Sequence, residues 1–328
     1  MHHTPMPTAM SGTEPSRRVF LLLLGLILAV SLGLRLWDIG MPQLWEDDYL
    51  NLDRASLDPV RIVAIQQYQG PADTIFDFQP PLSYLLVHMA LAVSKTALAA
   101  RVPSLIAGLL SILGIGLLGA TCAGRRAGLV AAALAGASLF HIEFSRAIKP
   151  YALFFCGCVF SQYFLVKATS RWRPIRLADF AAVTFVMLCA AYQGVPALLA
   201  EGVYIVGLYA ARKGIFAGPE RVGRLVWTIL AVDAAVLLWL PLAPGLLFVR
   251  EFLENPSINP SFGLNAVFFS DVLTGFLHLN QTVPLAFTFL AAALIGLGLA
   301  TSRRAPAFLV FLTAAVPSVV VLSSQTDL

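Results

Sequence analysis

The chain has 328 residues, 58% hydrophobic and only 12% charged, with a mean hydropathy of +0.80. A soluble domain does not carry that much apolar sequence, and several windows supply the roughly 17 to 25 apolar residues that a membrane-spanning helix needs. The net charge of +4 does not point to nucleic acid, because the basic residues sit in short clusters between apolar runs and so orient helices in a bilayer.

The first 18 residues, rich in Pro, Ser and Thr, predict a disordered cytoplasmic N-terminus. Arg17 and Arg18 precede the apolar run Val19 to Leu36. No small-residue cleavage site follows it, so the run is expected to be a retained first span directed outward. His2 and His3 are too few for a tag or a metal site. The rest, 19–328, is expected to be one membrane domain. Cys122, Cys156, Cys158 and Cys189 all fall inside apolar runs, where a thiol behaves as a small hydrophobe, and no disulfide is expected.

Leu44-Trp45-Glu46-Asp47-Asp48-Tyr49 plants three consecutive acids just past the first span. They open a long outer loop, 38–100. Asp47, Asn51 and Arg54 stand at helical spacing, with Tyr49 and Leu52 expected on the other side. Asp58-Pro59 reads as an N-cap and first-turn proline, opening a short helix with Val60, Val63 and Ala64 on one side. These are expected to be amphipathic helices on the membrane surface. The apolar piece Leu82 to Val93 is too short to span. Were it to cross, the five later basic groups, from Arg125-Arg126 to Arg303-Arg304, would all face outward against the charge rule.

The spans then read 19–37, 102–122, 127–141, 151–168, 177–193, 195–210, 225–243, 283–300 and 305–322. The fold class is an all-α polytopic bundle of about nine transmembrane helices, with a second long outer loop at 244–282. Gly and Ala along the spans fit helices that approach closely in lipid.

Acids this dense at a membrane boundary take protons, coordinate a cation, or merely solvate a loop. A carboxylate there can deprotonate a hydroxyl or amine that attacks a sugar carbon. Arg146, Lys149 and Tyr151 follow Glu143 where the third span emerges. Positive charge on the outer side calls for a partner, whether a phosphate headgroup or Glu143 itself. Glu143 with Asp47 or Asp48 would suit a hard divalent ion such as Mg or Mn, although the spacing carries no ligand signature. His88 and His278 read as packed or hydrogen-bonded side chains. Asp179, Glu201 and Asp233 lie at or within spans and should be paired or near an end. A transporter or flippase reading rests on those three.

Five motifs occur in order: Trp45-Glu46-Asp47-Asp48-Tyr49, Gln79-Pro80-Pro81-Leu82, Arg101-Val102-Pro103-Ser104-Leu105-Ile106-Ala107-Gly108, Gly124-Arg125-Arg126-Ala127-Gly128 and Ser145-Arg146-Ala147-Ile148-Lys149-Pro150-Tyr151. Together, over roughly 19–165, they resemble the GT-C superfamily of membrane glycosyltransferases. The branch is that of the protein O-mannosyltransferases and the lipid A aminoarabinose transferase. The resemblance implies a GT-C-like helical bundle with surface helices in its first outer loop. It also implies transfer of a sugar from a polyprenyl-phosphate donor to an acceptor at the outer face of the inner or plasma membrane, with inversion. By position the catalytic acids are Asp47, as base, and Asp48, with Arg54, Arg101, Arg146, Lys149 and Tyr151 as candidates for the carrier phosphate. Gln79, Lys149 and Asp48 stand where the family has His, Arg and Glu.

Overall fold

The computed structural model describes residues 14–37, 39–40, 44, 46–64, 67–69, 74–76 and 79–243. The expected spans 283–300 and 305–322, the 244–282 loop, Arg303-Arg304 and His278 lie outside the described residues. Those described are helical apart from one two-stranded hairpin.

Helix α1 (Arg17–Leu36) begins where the Ser16 hydroxyl accepts from the Val19 amide. It leaves Leu22, Leu26 and Val30 exposed and buries Phe20, Leu24, Ser31 and Arg35, so it presents one apolar stripe outward and another to the bundle. After it come α2 (Glu46–Ser56) and α3 (Pro59–Ala64), whose start is capped by Asp58 Oδ1 accepting from the Arg61 amide at 3.0 Å. The Asp58-Pro59 start signal therefore reads correctly. Within α3, Ile62 is buried and Val60 is exposed. An antiparallel hairpin, β1 (Gln67–Gln69) with β2 (Thr74–Phe76), pairs Gln67 with Phe76 and was not foreseen in the sequence.

Helix α4 (Leu82–Val93) has the 12 residues expected, about 18 Å of rise, well short of a bilayer core of roughly 30 Å. Helix α5 (Ala97–Ala123) starts at the Thr96 cap and is a full span. The next expected span, 127–141, is not one straight helix: α6 (Arg125–Ala137) and α7 (Leu139–Arg146) meet at a 62° bend. The break falls at Ser138, whose hydroxyl accepts from the His141 amide and starts α7 afresh. Then follow α8 (Tyr151–Ser170), α9 (Pro174–Ala190), α10 (Gly194–Ala210) and α11 (Arg221–Trp239). Among the described residues five helices are long and apolar enough to cross a membrane, six if the bent pair counts as one. Helix α9, at 17 residues, rises about 26 Å.

Small residues let these helices meet closely. A Cβ on Gly128 of α6 would lie 2.7 Å from the Ala120 amide nitrogen of α5, and one on Gly157 of α8 would lie 2.9 Å from Met187 Cα of α9. In lipid, where burying apolar surface against another helix gains little, such close approach supplies the dispersion energy. Leu118 of α5, Leu165 of α8, Phe180 of α9 and Ile205 of α10 form one core cluster at one end of the bundle. At that end Arg125 donates to the Pro15 carbonyl, Arg176 to the Lys167 carbonyl, and Arg224 to the Ile215 carbonyl while lying over the Trp172 ring. Among the described residues these basic clusters thus gather at one end. Helices α2 to α4 and the α7–α8 turn occupy the other, around Ala55, Val87, Ala100 and Ile148.

Replacing Gly128 by Leu pushes a side chain into the α5 backbone and should cost about 1–3 kcal/mol. The expected outcome is a clear fall in the unfolding temperature in detergent, with a smaller fall for Gly128→Ala.

Candidate active site at the acidic end

Helix α2 turns its second acid inward. Asp48 is 4% exposed, and its Oδ1 accepts from the Ile148 amide at 3.0 Å, a contact between residues 100 positions apart. Three residues on, Asn51 lines a cleft against the α7–α8 turn, and Leu52 and Ala55 pack on Val87, Ala100 and Ile148. Tyr49 is exposed as expected, whereas Leu52, expected to turn away, packs inward. The Asp47 side chain lies outside the described residues.

The cations predicted to hold a phosphate divide into two kinds. Arg54, 1% exposed, donates to the carbonyls of Gln79 at 3.2 Å and Ile62 at 3.0 Å, and its guanidinium lies 4.2 Å from the Tyr84 ring centre. Arg101 is buried and donates to the Ile39 carbonyl, and Arg146 donates to that of Trp37. These three fasten the chain leaving α1, α3 and the loop before α4. Backbone carbonyls outside regular structure need donors when buried, and a guanidinium carries five. Arg146 turns to Trp37 rather than to Glu143. Lys149 differs: it lines the cleft, its ammonium 5.8 Å from the Tyr151 ring. The Ser104 hydroxyl donates to its carbonyl at 3.3 Å, and Tyr151 packs edge-on to Phe144.

Glu143 is exposed on α7, while Asp48 is buried and engaged with Ile148. Among the described residues no three of His, Cys, Asp and Glu gather where they could hold a metal ion.

One polar chain escaped the sequence reading. Arg35, fully buried at the end of α1, donates to the carbonyls of Ser31 at 3.0 Å and Gly136 at 3.1 Å, and contacts His141 Nδ1 at 2.6 Å. A guanidinium can only donate, so Nδ1 accepts and the ring proton sits on Nε2. From there it is shared with the Ser111 hydroxyl at 2.8 Å, which donates to the Gly108 carbonyl. This chain braces the bend at Ser138, and hence α7 and the turn that follows. Its members come from three separate stretches of sequence, on α1, α5, α6 and α7, which no local spacing could have linked.

Glu201 is buried and accepts from the Ser161 hydroxyl at 3.1 Å, Asp179 is half-buried and Asp233 exposed, and no hydrogen bond among the described residues joins the three. His88 bonds the Ala55 carbonyl at 2.9 Å, the structural role expected of it.

Residues 78–239 match the model of the dolichyl-phosphate-mannose-protein mannosyltransferase family. The resemblance to GT-C membrane glycosyltransferases holds. The matched stretch contains Arg101, Glu143, Arg146, Lys149 and Tyr151 but begins after α2. Among solved structures, the archaeal oligosaccharyltransferase AglB from Archaeoglobus fulgidus, in complex with an inhibitory peptide and a dolichol-phosphate, superposes with a TM-score of 0.55 at 15% identity. The match covers 88% of this chain and 38% of that one, so the chain spans well under half the length of its structural relative. At that identity the likeness speaks for a GT-C-like fold. No curated protein sequence matches the chain.

Asp48→Ala leaves the Ile148 amide without its acceptor and should cost about 1–3 kcal/mol. A lower unfolding temperature and faster proteolysis at the α7–α8 turn are expected, both partly restored by Asp48→Asn, which keeps an acceptor oxygen.

Proposed function

We propose that the protein is a membrane glycosyltransferase that moves a sugar from a polyprenyl-phosphate carrier to an acceptor. The observation that carries the reading is the Asp48 to Ile148 hydrogen bond, which brings the acid-bearing helix against the turn that holds Lys149. The family match over 78–239 and the GT-C-like fold support it. So does the AglB complex with a dolichol-phosphate and a peptide, which makes a lipid-linked phosphate a natural donor and a peptide or lipid a natural acceptor.

In this reading Asp47 is the general base. The acceptor oxygen or nitrogen attacks the anomeric carbon and passes its proton to the Asp47 carboxylate. The bond from that carbon to the phosphate oxygen breaks on the opposite face, and its electron pair leaves with the polyprenyl phosphate. The sugar is inverted. Lys149 and the N-terminal end of α8 stabilise the charge that builds on the leaving phosphate. Asp48, spent on the Ile148 amide, positions α2 beside them.

The reaction is assigned to the outer face of the inner or plasma membrane, with the N-terminus cytoplasmic. The gathering of Arg125, Arg176 and Arg224 at the opposite end supports this through the bias of positive residues toward the cytoplasm.

Asp47→Asn, at equal expression and with an unchanged unfolding temperature, should lower turnover of a polyprenyl-phosphate sugar about 10²- to 10⁴-fold. Wild-type turnover in this variant removes Asp47 from the mechanism. A cysteine placed at Lys95, which sits exposed after α4, should be labelled from outside the cell alone by a membrane-impermeant maleimide. Labelling from the cytoplasm alone overturns the orientation.

A further inference from the structure

Glu201 stands near the middle of α10 and is fully buried, and its Oε2 accepts from the Ser161 hydroxyl of α8 at 3.1 Å. Ser161 in turn lies 3.0 Å from the Thr184 hydroxyl of α9, and both of these side chains are fully buried too. Three helices thus bring their oxygens to one point inside the bundle, about halfway along α8. Among the described residues no Lys, Arg or His bonds Glu201.

Ser161 has one proton and gives it to Glu201, so its bond with Thr184 uses the Thr184 proton. Both hydroxyl protons are then engaged, and what remains is lone pairs. Glu201 Oε1 has no hydrogen-bond partner, and a carboxylate oxygen can only accept. A charge taken out of water without a counter-charge is costly, and within a bilayer it is paired or serves a site. Spare acceptors, no spare donor and one negative charge match a cation. Oxygens about 2.3–2.6 Å from one hard cation lie roughly 3 Å apart when they are neighbours, the spacing that Thr184, Ser161 and Glu201 show. The Cys158 thiol, one turn before Ser161, is directed to Met187 Sδ, so the ligands are oxygen and the ion a hard one. One carboxylate balances a single positive charge, whereas a divalent ion leaves net charge in the bilayer.

We propose that Glu201, Ser161 and Thr184 bind a monovalent metal cation, sodium or potassium, which ties α8, α9 and α10 together in the middle of the bilayer. It is a site of one carboxylate and two hydroxyls, unlike the cluster of acids that a divalent ion would require. It takes no part in the transferase reading and stands if that reading fails.

The test uses the full chain in nanodiscs of uncharged lipid and follows the unfolding temperature while NaCl or KCl replaces choline chloride at constant ionic strength and pH. At least one of the two salts should raise it saturably. Glu201→Gln, which keeps the shape and removes the charge, should abolish that rise. Ser161→Ala and Thr184→Val should move its midpoint about tenfold or more to higher concentration, while Thr184→Ser keeps the wild-type midpoint. Asp179→Asn and Asp233→Asn, which alter acids outside the cluster, should respond as the wild type does. Should Glu201→Gln unfold, the two Thr184 variants decide. A stability that changes with pH but with neither salt means a carboxyl that only holds a proton, and overturns the proposal. So does a rise that survives in Glu201→Gln, keeps its midpoint in Thr184→Val, or is lost equally in Asp233→Asn.

Discussion

A carboxylate taken out of water must find donors, and Asp48 finds one in the Ile148 amide. The acidic end depends on that bond. It draws α2 across the first outer loop onto the turn between α7 and α8, so that Leu52 and Ala55 close over Val87, Ala100 and Ile148. Asn51 and Lys149 then face one cleft. A peptide amide is a directional donor, so the bond sets the rotation of α2 as well as its position.

Around this contact the irregular parts of the loop are tied by arginines. Arg54, Arg101 and Arg146 give their donors to carbonyls of Ile62 in α3, of Gln79 before α4, and of Trp37 and Ile39 after α1. Arg35 does the same one layer deeper, where α6 breaks before α7. Guanidinium groups suit this work because they hold several acceptors in one plane and keep their charge when buried. A reading of charge alone would assign all of them to a ligand. Among the described residues Lys149 lines the cleft, while Arg54, Arg101 and Arg146 bond backbone carbonyls around it.

The transmembrane part was legible because hydropathy runs are local. Six of the seven expected spans within the described residues coincide with single helices, the seventh is split at Ser138, and Leu82–Val93 has the length read from it. The motif order named the family that residues 78–239 match. The 62° bend at Ser138 and the hairpin were not legible. The first depends on Arg35 meeting Gly136 and His141 from a hundred residues away, and the second lies in strands of only three residues, too short to carry a pattern. Leu52 went wrong because helical spacing tells which residues share a face, not which face will find a partner.

The sequence by itself determined that this is a membrane bundle, where its helices run, which end collects its basic residues and which superfamily it resembles, since each of these rests on composition or on residues close along the chain. The tertiary structure decided that Asp48 points inward, that the arginines serve backbone carbonyls, and that Asn51, Ser83 and Lys149 line one cleft. Those outcomes depend on buried polar groups seeking partners across long separations, and only the packed chain fixes which partner each one reaches.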